Sequence, residues 1–156
     1  MAGKEIILAL SMGYRVNDPG PINRMLAMVV DIEQQKSDLD SICQVEIARC
    51  VNRIPALVIS RHRQGKYLDT DECILQFLEY MEKNDISTVR LVAFPFIHRF
   101  ATKWLIRKYS GGKIKVKKVS TGWVPFDGKS EQWFVRGPFR MIIYTILRLI
   151  GRKGQD

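Results

Sequence analysis

Thr88-Val89-Arg90-Leu91-Val92-Ala93-Phe94 runs straight into Pro95-Phe96-Ile97-His98-Arg99-Phe100-Ala101. The first seven residues are β-branched and apolar enough for a buried strand, and Pro95 stops it. Beyond the proline the spacing changes from strand to helix. Ile97, Phe100, Ala101, Trp104 and Leu105 form an apolar stripe on a helix that runs to about Tyr109, where Gly111-Gly112 ends it. A strand passing directly into a helix is the repeating unit of an α/β fold.

The unit recurs along the chain. Glu5-Ile6-Ile7-Leu8-Ala9-Leu10 is a short apolar run that ends in Ser11-Met12-Gly13, as a buried parallel strand entering a turn does. After the breaker-rich loop Asn17-Asp18-Pro19-Gly20-Pro21, helical spacing runs from Ile22 to about Gln35. It resumes from about Asp38 to Asn52, with Leu39, Ile42, Cys43, Ile47 and Val51 inward. Pro55 ends this second helix, and Ala56-Leu57-Val58-Ile59-Ser60 is a strand. Asp69, with Glu72 three residues on, has the spacing of a capping box and opens a helix striped by Cys73, Ile74, Phe77, Leu78 and Met81. Lys113 to Val119 alternates strictly, which marks an edge strand with one solvated face. A last helix starts at about Glu131 or Pro138 and reaches Ile150. The expected fold is one α/β domain over residues 1–156, a Rossmann-like three-layer sandwich with a mostly parallel sheet of about four strands.

Composition narrows the classes of function. No window reaches the roughly 18 to 20 apolar residues of a membrane span, and the first residues lack the order of a secretory signal. Three cysteines without CxxC spacing point to a reduced, cytoplasmic setting and away from a structural zinc site. With His62 and His98 as its only histidines, the chain has no multi-histidine metal site. Charge is unevenly placed. Residues 1–97 carry 11 Lys and Arg against 13 Asp and Glu, net −2, whereas residues 98–156 carry 14 against 3, net +11. Such an imbalance suits an anionic partner, whether a phosphorylated small molecule, a membrane surface or nucleic acid, and equally suits simple solubility.

Ligands of parallel α/β sheets bind beyond the carboxyl ends of the strands. Three exits therefore hold the candidate residues. Ser11, Gly13 and Arg15 follow the first strand. Ser60 and Arg61 follow the second, with His62 and Arg63 behind them and Asp69, Thr70 and Glu72 at the next helix start. His98 and Arg99 lie in the first turn after the third. Helix N-termini favour anions, and Arg15, Arg61 and Arg99 add formal charge. Asp69 and Glu72 could act as acid and base, or only cap their helix. His98, which ordinarily titrates near neutrality, is the candidate catalytic acid or base, or a packed part of its helix. No glycine-rich dinucleotide fingerprint and no phosphate-binding P-loop is present, and no cofactor is indicated.

Several segments resemble the SanA/YdcF/ElyC-like family. Val92 to Ala101 resembles its strand-turn-helix "LVTSxxHMxRA", with His98 at the family's His and Arg99 near its Arg. Asp69-Thr70-Asp71-Glu72-Cys73 resembles "TxEN". Leu8 to Gly13 stands at "LGxG", and Val58 to His62 at "IIVSGG", where Arg61 and His62 replace both glycines. The family's extra helix beginning "SEA" has no counterpart, and residues 124–138 look like a branch-specific ending. The resemblance covers most of residues 4–119. It implies a Rossmann-like domain that takes a nucleotide-type or polyprenyl-phosphate-type ligand, with a link to the cell envelope.

The C-terminal helix supports a different reading. Phe139, Ile142, Ile143, Ile146, Leu147 and Ile150 form one stripe, extended by Met141, Tyr144 and Leu149 and accompanied by Arg136, Arg140, Arg148, Arg152 and Lys153. Such a helix packs on the sheet, joins a homo-oligomer, or rests on an anionic membrane. The alternative function is thus a non-catalytic interaction module working through residues 136–153. Nucleic-acid binding fits least well, because the Lys113–Lys118 strand has no interleaved aromatics.

Overall fold

The structure, a computed structural model, describes residues 3–61 and 68–149. Five strands form one parallel sheet: β1 (Lys4–Ala9), β2 (Ser41–Gln44), β3 (Leu57–Ile59), β4 (Ile86–Val92) and β5 (Lys115–Lys118), in the order β3-β2-β1-β4-β5. The connecting helices are α1 (Gly20–Ser37), the single turn α2 (Val45–Ala48), α3 (Thr70–Lys83) and α4 (Ile97–Tyr109). A 3-10 turn (Trp133–Arg136) and α5 (Pro138–Leu149) follow, to the end of the described residues.

Strand β1 occupies the middle because it can be buried on both faces. Ile6 to Ala9 are all inaccessible, and the two sides of the strand belong to different apolar clusters. Ile6 and Leu8 point into the layer made by α3 and α4, where they meet Ile74, Phe77, Met81, Leu105 and Ile106. Ile7 and Ala9 point the other way, toward Ile22, Leu26 and Val30 of α1. That second layer also takes in Val119, Val124, Val135 and Met141, so the segment after β5 is part of the core. The result is the expected Rossmann-like three-layer sandwich, with five strands instead of about four and every pairing parallel.

The extra strand corrects the expected helix over residues 38–52. Ser41-Ile42-Cys43-Gln44 pairs with β1 on one side and β3 on the other, and only the turn Val45–Ala48 is helical. Ile42, Cys43 and Ile47 are buried as the helical spacing indicates, but on opposite faces of the sheet: Ile42 with α3, Cys43 and Ile47 with α1. Four residues buried on both sides show no alternation, so they read equally well as a helix segment.

Two helices leave large apolar side chains exposed. In α4 the buried residues are Thr102, Leu105 and Ile106, whereas Phe100 and Trp104 stand out, 69% and 55% exposed. In α1 Ile22, Leu26, Ala27 and Val30 are buried, and Met28 and Ile32 are exposed. The edge assignment of the lysine-rich strand holds: β5 is terminal in the sheet, with Lys115, Lys117 and Lys118 exposed. No helix among the described residues is long and apolar enough to cross a membrane.

The cysteines offer a check on the position of β2. Burial pushes the Cys43 thiol up to about 11, and burial, then the charges of Asp69, Glu46 and Glu72, raises Cys73 further. Cys50 is only half-buried. Native protein treated with iodoacetamide near pH 8 should be alkylated at Cys50 first, with Cys43 and Cys73 protected until the chain unfolds. Peptide mass mapping reads this directly, and labelling of Cys43 as fast as Cys50 would contradict a β2 in the interior.

Candidate functional site

The strand order creates one place where neighbouring connections diverge. The chain leaves β1 over the α1 layer toward β2, and leaves the adjacent β4 over the α4 layer toward β5. The gap between these exits is the topological switch point, where such sheets bind ligands.

The β1 side of the gap is fully engaged by the protein itself. Four successive backbone amides each donate to a side-chain oxygen: Ser11 to Gln44 Oε1 (3.1 Å), Met12 to Asn23 Oδ1 (2.9 Å), Gly13 to Gln132 Oε1 (3.0 Å) and Tyr14 to Ser130 Oγ (3.3 Å). Two of the acceptors come from residues 127–136, a strap that folds back over the loop. The strap is also tied by Glu131 N–H to Tyr14 O and by an ion pair in which Arg15 donates twice to Asp127, at 2.9 and 2.7 Å. Asp127 is buried, accepts from the Lys129 amide as well, and is held below the usual carboxylate range chiefly by the Arg15 bond. Gly13 permits this approach: its φ is +71°, and a Cβ there would stand 2.8 Å from Ser130 Oγ and 3.0 Å from Val135 Cγ1.

On the β4 side the turn is strained. Phe96 precedes α4 with φ 68° and ψ −129°, a region that residues with a side chain rarely enter, and its ring is 63% exposed. Arg99 fixes the helix start in place. Its amide donates to Phe94 O, and its Nη1 donates to Val119 O (3.1 Å) at the end of β5. His98 is half-buried, one helical turn before buried Thr102, whose hydroxyl donates to His98 O. The histidine therefore lies on the inner face of α4 and not at the edge of its exposed stripe.

The remaining candidates sit farther along the edge, beyond β2. Ser60 and Arg61 are exposed at the end of β3, two strand spacings or roughly 10 Å from β1. Asp69 caps α3 by accepting from Glu72 N–H (2.8 Å), and Thr70 is the first helical residue. Glu72 is buried and accepts from Gln76 Nε2, which also donates to Arg61 O. The charges of Asp69, Glu46 and Glu72 each act on Cys73, and no group of three metal-ligating side chains is present among the described residues. His62 and Arg63 lie outside the described residues.

Ser11, Gly13 and Arg15 thus follow β1 and His98 and Arg99 follow the adjacent β4, whereas Ser60, Arg61, Asp69, Thr70 and Glu72 follow β3, beyond β2. Sequence reading missed Asn23, Gln44, Asp127, Ser130 and Gln132, which take the β1 amides and the Arg15 guanidinium. Asp127 and Gln132 fall in a stretch singled out as a distinctive ending, with nothing local to show what they bind. No protein-family model matches the chain, and no curated protein matches it.

The Arg15–Asp127 pair gives two measurable outcomes. Replacing Asp127 by Ala leaves the Lys129 amide without its acceptor and Arg15 with Asp18 alone, and should cost on the order of 1–2 kcal/mol in chemical denaturation. Because the native carboxyl titrates below its unfolded value of about 3.9, its contribution is complete above that pH and is lost as the pH falls through the lowered native value. The stability difference between wild type and Asp127→Asn should therefore shrink on acidification below about pH 4; a constant difference would show that the pair is not what Asp127 contributes. Gly13→Ala, strained in backbone and in space, should destabilise by more than about 1 kcal/mol.

Proposed function

We propose that this domain binds a phosphate-bearing small molecule, of nucleotide or polyprenyl-phosphate type, at the gap between the ends of β1 and β4, and that His98 gives or takes a proton there. The observation that carries the reading is the reversal of strand order between β1 and β4, with the strained Phe96 turn and the start of α4 on its rim. A non-glycine residue held in a sparsely populated conformation is retained where the surroundings demand it, and such residues cluster at ligand sites.

The packing sharpens which groups would serve. The amides of residues 11–14 already have acceptors, so they are not the anion cradle. Arg15 is compensated by Asp127 and contributes little net charge. The anion would meet the N-terminal turn of α4, where aligned N–H groups carry partial positive charge. Arg99 spends Nη1 on Val119 O, and the other donors of its guanidinium would serve the anion. Arg61, exposed on the far side, would reach a longer ligand. Glu72, set back in a buried position, suits a role in holding polar ligand groups. The resemblance to the SanA/YdcF/ElyC-like family supports the same ligand class and a role at the cell envelope.

Thermal unfolding in the presence of a nucleoside diphosphate, farnesyl phosphate or inorganic phosphate tests the reading. A ligand at about a hundred times its Kd stabilises the native state by about 2.7 kcal/mol, which for a chain of this size raises Tm by roughly 5–10 °C. His98→Asn should retain the ligand-free Tm to within a few degrees and lose most of the shift with whichever organic phosphate stabilises the wild type. A wild-type Tm moved by none of the three, or a shift that survives in His98→Asn, rejects the role given to this turn.

A further inference from the structure

Helix α5 turns its apolar stripe outward. Phe139, Ile142, Ile143 and Ile146 share one face at i, i+3, i+4 and i+7, and they are 80%, 48%, 51% and 53% exposed. The helix is held from its opposite face. Met141 is buried in the core, and Tyr144 stacks on Phe134 with ring centroids 4.0 Å apart and meets Trp133 edge-on. The stripe is therefore not a loose end waiting for a core but a rigidly mounted apolar surface. Its electrostatic setting is one-sided. Arg136 and Arg140 are exposed beside it, and between Glu131 and Asp156 the chain carries five cations and no acid.

We infer that α5 docks on an anionic phospholipid surface, lying in the plane of the interface with Phe139, Ile142, Ile143 and Ile146 among the acyl chains and Arg136 and Arg140 at the headgroups. An in-plane helix needs a strong apolar face and cationic flanks, and α5 has both. At twelve residues it is about 18 Å long. A second copy of the chain fits this face poorly. Pairing this face with a second copy would bring two cationic surfaces of the same sign together. The four side chains expose on the order of 400 Å2, about half of the roughly 800 Å2 per partner in a stable protein interface. A lipid surface supplies the opposite charge and places no such demand on area.

The full-length chain should be tested by cosedimentation with vesicles of phosphatidylcholine alone and of phosphatidylcholine doped with phosphatidylglycerol. Binding should be at least about tenfold stronger to the anionic vesicles and should fall with added salt, since each cation near such a surface adds attraction that salt screens. Ile143→Glu, at an exposed position that leaves the Met141 and Tyr144 contacts intact, should keep the wild-type Tm and lose about tenfold or more in binding. Arg140→Gln should weaken binding to anionic vesicles and leave the weak binding to neutral ones unchanged. Equal partition onto both vesicle types, or an Ile143→Glu variant that binds like wild type, overturns the inference. So does a wild-type dimer in light scattering that Ile143→Glu converts to a monomer, because the face then belongs to a second copy.

Discussion

A backbone leaving the buried centre of a parallel sheet carries amides that must find acceptors, and in this chain that demand falls hardest on residues 11–14. Strand β1 is flanked by β2 and β4 and covered on both faces, so the first residues beyond it are still largely out of water. An unpaired buried N–H costs on the order of 1–3 kcal/mol. The chain meets the demand with side chains from three places: Gln44 at the end of β2, Asn23 in α1, and Ser130 and Gln132 from more than a hundred residues away. The last two are in place only if residues 119–136 fold back over the sheet. That same return covers apolar surface. Helices α1 and α2 lie on the side of β1, β2 and β3, which leaves the β4 side of the layer to Val119, Val124, Phe126 and Val135, and Phe126 meets Phe94 edge-on at 5.4 Å. The polar and apolar requirements thus converge on one segment, which takes the place that a further strand–helix unit fills in a longer sheet.

This convergence explains what could and could not be read from the residues. Strands β1 and β4, the helix capped by Asp69 and the turn from Phe94 to Arg99 announce themselves through local pattern, because apolar runs, caps and breakers are short-range signals. Strand β2 does not, since four residues buried on both faces carry no period. The inner faces of α4 and α5 are also hidden in sequence. Each helix has more apolar residues than its contact with the sheet can bury, and the spacing cannot say which subset goes inside. For α4 the buried set includes Thr102, which pattern reading assigns to the polar side. At the site, the turn with His98 was legible because it follows a strand. The acceptors for the β1 loop were not, because Gly13 and Gln132 are joined only by the folded chain.

Charge divides along the same line. The first half of the chain is slightly acidic, and much of its charge is used internally. Arg90, Glu5, Glu33 and Lys117 form a part-buried network linking β4, β1, α1 and β5, in which the bonds from Lys117 and Arg90 more than offset the burial of Glu5 and hold its carboxyl below the usual range. Arg15 is committed to Asp127, and Arg99 to the carbonyl of Val119. On β5 the lysines have a further use, since a charged edge strand resists pairing with another sheet. These cations are accounted for by the fold. Beside α5, Arg136 donates to Ser130 O, but Arg140 is not in the same position. Arg140 stands in solvent next to exposed isoleucines and a phenylalanine, where no packing requirement asks for either. Apolar exposure costs stability and solubility unless something covers it, and a flank of one sign of charge selects what that can be. Beyond residue 119 the basic excess is therefore only partly structural, through the bond from Arg136 to Ser130 O. Helix α5, farther along the chain, presents a surface that is both apolar and cationic. The apolar face is unfavourable in water, and the anionic interface proposed for it would cover that face and pair with the cations beside it.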